Sequence, residues 1–455
     1  MCEALDQLFA SNQISRRPQD LAHWGKDRTT GFTVAPSAVV FPQQLSEIVE
    51  LVKLANRDGL KLVPSGGRTG LSGGAVASQG EVVVSFDRMH RILDFNPADR
   101  LVRCQAGVVT ATLQNFAVDH DLYYPVDFAS SGSSHLGGNI ATNAGGIKVI
   151  RYGLTRDWIA GLQVVTGSGA VLECNRGLVK NATGYDLRHL FIGSEGTLGF
   201  VVEADVRLTA APEPQRVMLL GVPKFRDILA VLGQLQKAVS LSAFEFFSEL
   251  ALDKVRAARD VGRPLTDPCP FYVLLEFDES SLAAASHAFE HCLAEGWVVD
   301  GVLSQSDAQA ASLWALREDI SESLSPFAPY KSDISVRVRD MPGFLDDVNK
   351  LVDAQYPEFE ICWYGHIGDG NLHLNILKPD DLDGEAFYQL CHAISPKLYE
   401  LVAINHGSIS AEHGVGLLKR DFLKYSRSAS EIDLMRALKG VFDPNQIMNP
   451  GKLLV

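Results

Sequence analysis

The sequence lacks any apolar run approaching the roughly 20 residues that a membrane-spanning helix needs, so no span is expected. Its opening, Met-Cys-Glu-Ala-Leu-Asp-Gln-Leu-Phe-Ala, lacks the basic start and apolar core of a secretory signal, and a cytoplasmic protein is the expectation. Positive charge is scarce. Against 55 Asp and Glu there are 41 Lys and Arg, giving a formal net charge of −14. Nucleic acid and anionic membrane surfaces both demand a basic face, so neither is expected as a partner, and an anionic substrate must be met by a few local cations. The seven cysteines (Cys2, Cys104, Cys174, Cys269, Cys292, Cys362, Cys391) are odd in number, scattered and free of C-x-x-C spacing. They read as reduced thiols. Internal repeats and low-complexity tracts are also missing. What remains is an ordinary globular composition, 46% hydrophobic and 21% charged, in 455 residues, which exceeds one ordinary core and implies two or three domains.

The first half is rich in bare backbone. A helical run from Pro42 to Asp58 and a short strand Lys61–Pro64 lead into Ser65-Gly66-Gly67-Arg68-Thr69-Gly70-Leu71-Ser72-Gly73-Gly74. Such a loop offers N–H groups to phosphate oxygens, and taken alone it reads equally as a flexible turn. It matches neither G-x-x-x-x-G-K-[ST] nor G-x-G-x-x-G, which disfavours a nucleoside-triphosphate loop and a Rossmann unit. Strands at Val82–Val84 and Leu101–Cys104 follow. The segment Ser130–Gly146 then carries no acidic or basic side chain apart from His135, and glycine's folding entropy makes a flat ligand against the main chain a better account than packing. Gly193-Ser-Glu195-Gly196-Thr-Leu-Gly199 precedes an alternating strand, Phe200–Leu208. Three such clusters point to one extended cofactor.

Pro212-Glu213-Pro214 marks a boundary, so residues 1–212 are expected to form a cofactor domain and 213–410 an α+β substrate domain. The segment 411–455, with a helical run near Glu431–Leu438, is expected to pack back on the first domain. Within the second domain, Trp363-Tyr-Gly-His366-Ile-Gly-Asp-Gly-Asn-Leu-His373-Leu-Asn375 predicts strand, turn, strand, because Gly368–Asn371 is turn chemistry between strand-like flanks. His366 and His373 are seven apart, which on one straight strand would place them on opposite faces. A reversal lets both aim at one centre. Glu412, in Ser410-Ala-Glu412-His413-Gly, would complete a His/His/carboxylate set suited to a divalent ion such as zinc, manganese or cobalt, with a position left open for substrate. The same residues also admit hydrogen-bonded core histidines and a surface carboxylate.

Taken together, these segments resemble the flavoproteins of the vanillyl-alcohol-oxidase type, in their D-2-hydroxyacid dehydrogenase branch, over almost the whole chain. Gly365-His-Ile-Gly-Asp-Gly-Asn-Leu-His373 and Ala411-Glu-His-Gly414 are the most specific matches. The resemblance implies an α+β fold: a FAD-binding domain of the vanillyl-alcohol-oxidase/p-cresol-methylhydroxylase type plus a FAD-linked oxidase C-terminal domain. It implies that Ser65, Gly66, Gly67, Arg68, Thr69 and Gly70 surround the FAD pyrophosphate. Ser133, Gly137, Gly138, Asn139, Thr142, Gly145, Gly146, Glu195, Gly196, Gly199 and Asn449 are the further cofactor residues it implies. No His or Cys lies in Ser65–Gly70, consistent with noncovalent FAD. His366, His373 and Glu412 are implied as ligands of a divalent metal, zinc first, and His413 as general base while the C2 hydride moves to flavin N5.

Asn375, two residues past His373, is expected to share its strand face and to hydrogen-bond the substrate, and the resemblance places Arg317, Ser321 and Lys331 around the substrate's distal carboxylate. Trp314–Ser321 reads as one helix with Arg317 and Ser321 four apart on one side. Lys331 two before Asp333 resembles the branch members that oxidise D-2-hydroxyglutarate to 2-oxoglutarate, whereas D-lactate, D-malate and glycolate remain same-branch alternatives. Without the family, Arg317 paired with Glu318 or Asp319 and a solvated Lys331 are the plainer readings. One departure stands out: Arg337 occupies the place of an expected proline, with Arg339 beyond, and the Arg317–Lys331 spacing is one residue tight. Relatives imply a homodimer and an electron acceptor such as a quinone or electron-transfer flavoprotein. A metal-dependent hydrolase or a nonenzymatic anion binder without flavin is the different-class rival.

Overall fold

The computed structural model describes residues 2–455, and the chain divides into two compact units. One gathers residues 1–145, 153–211 and 412–455, the other residues 146–152 and 212–411. The expected boundary at Pro212 therefore has an unforeseen companion, a seven-residue excursion of the chain into the second unit. Its reason is a set of local attachments: Arg151 meets Asp278 through two hydrogen bonds at 2.7 and 3.0 Å, Lys148 pairs with the buried Glu276, and Ile147 packs into the apolar core. Gly145 and Gly146, adjacent in the expected cofactor segment, fall on opposite sides of this division.

In the first unit, the fully buried valines of Val82–Ser85 lie parallel to both Ala38–Val40 and Leu62–Ser65. That parallel arrangement needs a crossover, which the helix Leu45–Asp58 supplies. It buries Ile48, Leu51, Val52, Leu54 and Ala55 and stops at Gly59, in the left-handed conformation at φ +70°. A five-stranded antiparallel sheet follows, in the order Ile92–Asn96, Leu101–Gln105, Gly199–Arg207, Ile159–Thr166, Val171–Cys174. The chain end returns here: Met448 bridges Leu62, and the wholly buried Asp443 accepts from the N–H groups of Ile447 and Met448 and pairs with Lys439. Lys439 in turn donates to the carbonyls of Thr197 and Met448, both at 2.7 Å.

The second unit is built on one sheet of seven strands among the described residues, every neighbouring pair antiparallel. At one end Ile361–Gly365, Asn371–Ile376 and Tyr330–Ser335 lie side by side. The helices Glu249–Arg259 and Asp307–Glu318 bury Leu252, Val255, Leu313 and Trp314 in a core shared with Cys362 and Tyr364. The predicted single helix over Trp314–Ser321 breaks. Asp319 caps the first helix at ψ −5°, its carboxylate drawn 3.0 Å to Arg259, and a new turn begins at Ile320–Ser323. Six cysteines (Cys104, Cys174, Cys269, Cys292, Cys362, Cys391) are unbridged and buried, while the Cys2 side chain lies outside the described residues.

Lys452, near the chain end, is only 2% exposed. Burial pushes its ammonium down to about 8 from 10.5, outweighing the attraction of Glu81 and Asp27. Below pH 8 both folded and unfolded chains carry this proton, and the folded state bears the full cost. At about 1.4 kcal/mol per unit, the cost is on the order of 3 kcal/mol. Between pH 8 and 10.5 only the folded state releases the proton, so stability rises with pH. Lys452→Met should therefore be more stable than the parent at pH 7, with the difference in urea unfolding closing as pH approaches 10.5.

Candidate active site

The two histidines stand where a turn brings them together. Ile361–Gly365 and Asn371–Ile376 pair as an antiparallel hairpin, and between them Gly370 adopts φ +98° with its Cα so close to the Val336 carbonyl that a Cβ would come within 2.5 Å. Only glycine meets both conditions. The His366 and His373 rings lie 5.2 Å apart, centroid to centroid, at 80° to one another. Each Nδ1 faces a carboxylate: Glu245 at 2.8 Å from His366, and Asp333 at 3.8 Å from His373. The Glu245 carboxylate, within hydrogen-bond distance of His366 Nδ1, selects the tautomer with hydrogen there, so Nε2 is the nitrogen that ring can offer a cation. Two imidazoles beside carboxylates suit a divalent metal in their chemistry.

Register decides which other side chains share that face, because directly opposed residues of an antiparallel ladder point the same way. Asp333, His373 and Tyr364 form one cross-strand row, and Lys331, Asn375 and Cys362 the next. Lys331 donates to the Ser321 hydroxyl at 3.1 Å. It remains open to solvent yet ringed by protein, and this desolvation lowers its ammonium pKa. Tyr364 is buried, which raises its hydroxyl pKa, while Arg317, Ser321 and Asn375 act on the same hydroxyl. The Arg317 guanidinium lies over the Tyr364 ring at 4.8 Å, and that ring lies 4.9 Å from His373. Four residues nominated from the sequence, Arg317, Ser321, Lys331 and Asn375, are thus gathered around a fifth, Tyr364.

Arg317 does not pair with Glu318 or Asp319. It is 5% exposed and forms an ion pair at 2.7 Å with Glu245, itself 1% exposed. Burial alone would raise the Glu245 carboxyl, but the His366 and Arg317 charges outweigh it and hold the group below the usual carboxylate range. Glu245, Tyr364 and Asp333 were not singled out in the sequence. The signal for Glu245 was there: it is the lone charge in the apolar strand Leu241–Ser248, and such charges stay buried only when paired. Glu412 and His413 lie in the first unit, Glu412 Oε1 3.6 Å from His413 Nε2.

The glycine segments of the first unit serve two purposes. A Cβ on Gly67 would come within 2.1 Å of the Ser133 carbonyl, on Gly137 within 2.7 Å of the Ala106 Cβ, and on Gly199 within 2.5 Å of the Val165 carbonyl. Close approach of the protein's own backbone therefore explains these glycines, contrary to the expectation that packing would not. Gly138 differs, since a Cβ there meets nothing within 4 Å. Among the described residues no acceptor meets the N–H groups of Gly67, Arg68, Thr69 and Gly70, and Arg68 sits at φ +59°. Consecutive unpaired N–H groups around a left-handed residue form a concave anion site, which fits a pyrophosphate. Nearby, the buried His135 Nδ1 and Asn449 Oδ1 have no hydrogen-bond partner.

Other nominated cofactor residues tie these loops together. The Asn449 amide donates to the carbonyls of Gly74 and Glu195 at 2.9 and 2.7 Å, and the Glu195 carboxylate accepts from the N–H groups of Val415 and Gly416 at 2.8 and 2.7 Å. Burial still raises the Glu195 pKa despite those bonds. The Ser65 hydroxyl donates to the Trp24 carbonyl at 3.2 Å, Arg68 to the Gly66 carbonyl at 2.9 Å, and the Asn139 amide to Thr110 at 2.7 Å. Thr142 donates back to the Gly138 carbonyl at 3.1 Å, and Gly196, at φ +70°, lies close to Pro64.

The nest of bare N–H groups in the first unit suits a dinucleotide's pyrophosphate, and comparison with known proteins identifies a flavin-dependent oxidoreductase. The FAD binding domain family matches residues 36–175, and the family of FAD linked oxidases, C-terminal domain, matches residues 211–453. A D-2-hydroxyglutarate dehydrogenase from Stutzerimonas stutzeri (strain A1501) is 56% identical over 456 residues, covering 100% of this chain and 98% of its own. A mitochondrial D-2-hydroxyglutarate dehydrogenase from Bos taurus is 37% identical over 464 residues, covering 99% and 82%. The solved structure of p-cresol methylhydroxylase with substrate bound shares the fold, with a TM-score of 0.78 at 13% identity over 99% of this chain and 95% of that one. The chain belongs to the FAD-linked D-2-hydroxyacid dehydrogenases. It is an FAD-dependent hydroxyacid dehydrogenase, and no helix among its described residues is long and apolar enough to cross a membrane.

The two kinds of glycine should separate experimentally. Gly67→Ala should lower the melting temperature of the flavin-free protein, because Ser133 must move. Gly138→Ala, in the helix Leu136–Thr142 with open space at its Cβ, should raise that temperature slightly and weaken flavin binding instead. Thermal unfolding of stripped protein and fluorescence titration with FAD measure the two effects separately.

Proposed function

We propose that the chain oxidises D-2-hydroxyglutarate to 2-oxoglutarate, with noncovalently bound FAD and a divalent cation, zinc first, held by His366, His373 and Glu412. The observation that carries the choice of acid is the gathering of Arg317, Ser321 and Lys331 around Tyr364, beside His373, which gives a two-carboxylate substrate a cationic and hydroxylic place for its distal end. The full-length relative at 56% identity carries the same activity in its name.

When bound, the flavin supplies a hydride acceptor and the cation a Lewis acid. The chain's own residues then bind, orient and move a proton. Lys331 and Ser321, already hydrogen-bonded to each other, receive the distal carboxylate, with Arg317 adding charge from beneath the Tyr364 ring. Asn375 shares the strand face of His373 and orients the reacting end. His413 takes the C2 hydroxyl proton, so that loss of the C2 hydride leaves a ketone and the atoms balance. Such a positioned base contributes on the order of a hundred- to ten-thousand-fold.

A substrate panel on flavin-replete, metal-analysed protein tests the reading. Charge-assisted contacts to one carboxylate discriminate by more than about a hundred-fold, so anaerobic bleaching of the flavin should be far faster with D-2-hydroxyglutarate than with D-lactate. Preference for D-lactate or glycolate would overturn the assignment, and colourless protein that FAD cannot reconstitute would favour a flavin-free function. His413→Ala should keep FAD and metal while losing most turnover. Near-parental turnover in that variant removes His413 from the chemistry.

A further inference from the structure

Glu245 is the lone charge in a strand otherwise made of Leu241, Ser242, Ala243, Phe244, Phe246, Phe247 and Ser248. At 1% exposure a carboxylate persists only when its partners repay the lost water. The partners are unequal in kind and divided between its oxygens: Oε1 lies 2.8 Å from His366 Nδ1, and Oε2 lies 2.7 Å from Arg317 Nη2. Arg317 is buried as well, so neither end of this chain of three groups can exchange its partner for water.

We propose that Glu245 is a positioning residue that couples the substrate's distal-carboxylate site to the metal site, holding Arg317 and His366 at fixed places through one carboxylate. The inference rests on the reading of His366 as a metal ligand and Arg317 as a substrate cation. One oxygen keeps hydrogen on His366 Nδ1 and turns Nε2 toward the cation; outer-shell partners of this type are worth about ten- to a hundred-fold in metal affinity. The other oxygen lies 2.7 Å from Arg317 Nη2 and keeps that buried guanidinium at the Tyr364 ring. Because both tasks use one group, loss of Glu245 damages metal binding and recognition of the two-carboxylate acid together, which an ordinary structural ion pair would not do.

The test uses flavin-replete parent, Glu245→Gln and Glu245→Asp, stripped of metal by chelator and titrated with zinc alone against a chromophoric competitor. KM and kcat for D-2-hydroxyglutarate and D-lactate are measured on the zinc-loaded forms. Glu245→Gln should bind zinc at least ten-fold more weakly with FAD content unchanged, and its KM should rise more for D-2-hydroxyglutarate than for D-lactate. Should the neutral variant fail to fold, Glu245→Asp, which keeps the charge but withdraws it from His366, should shift both quantities in the same direction. Folded variants with parental zinc affinity and parental KM overturn the positioning role alone. A parent that binds no zinc overturns the zinc reading and this inference with it.

Discussion

Everything chemical in the second unit depends on the register of one strand. Side chains alternate along Asn371–Ile376, so the pairing that sets His373 against Tyr364 and Asp333 also sets Asn375 against Cys362 and Lys331. A slip of one residue would turn Leu372, Leu374 and Ile376 toward the polar face and send the histidine into the opposite apolar layer. The turn prevents that slip. Gly370, fixed at φ +98° under the Val336 carbonyl, and Gly368, whose N–H donates to the Phe244 carbonyl at 3.1 Å, leave the hairpin a single way to close.

From that register the site's electrostatics follow. Arg317, Glu245 and His366 lie almost wholly out of water, where the carboxylate and guanidinium charges are tolerable because they answer one another and the imidazole meets the carboxylate's second oxygen. Lys331 occupies the opposite situation, reachable by solvent but surrounded by protein, which is how a cation waits for an anionic ligand. The first unit handles anions differently. Its nest from Gly67 to Gly70 presents backbone N–H groups, and the cation within it, Arg68, is paired with Asp87 at 3.2 Å.

Much of this was legible in the residues because it is local. The alternation in Phe200–Leu208, the helical spacing before Asp58 and the turn chemistry of Gly368–Asn371 each announce an element, and each element forms where its pattern lies. What could not be read is what depends on distant partners. Glu245 is 121 positions from the histidine it holds, and no spacing rule connects them. The helix ends at Asp319, whose carboxylate meets Arg259 of another helix, so the apparent continuity of Trp314–Ser321 misled. Glycines at 67, 137 and 199 looked like room for a ligand, whereas they make room for the backbone of Ser133, Ala106 and Val165. Resemblance to a family supplied the function because it had already recorded such distant pairings.

The order in which the chain visits its two units has a consequence for how the protein is made. Residues 1–145 cannot finish their unit alone, since Met448 adds to the strand beginning at Leu62 and Asp443 pins the last helix beneath the Thr197 turn through Lys439. On a ribosome the first unit therefore waits, incomplete, until residues 412–455 have been made, while the contiguous run 212–411 is already whole. A chain interrupted between residues 412 and 439 would keep the later-encoded unit and leave the earlier one unfinished, the reverse of what gene order suggests.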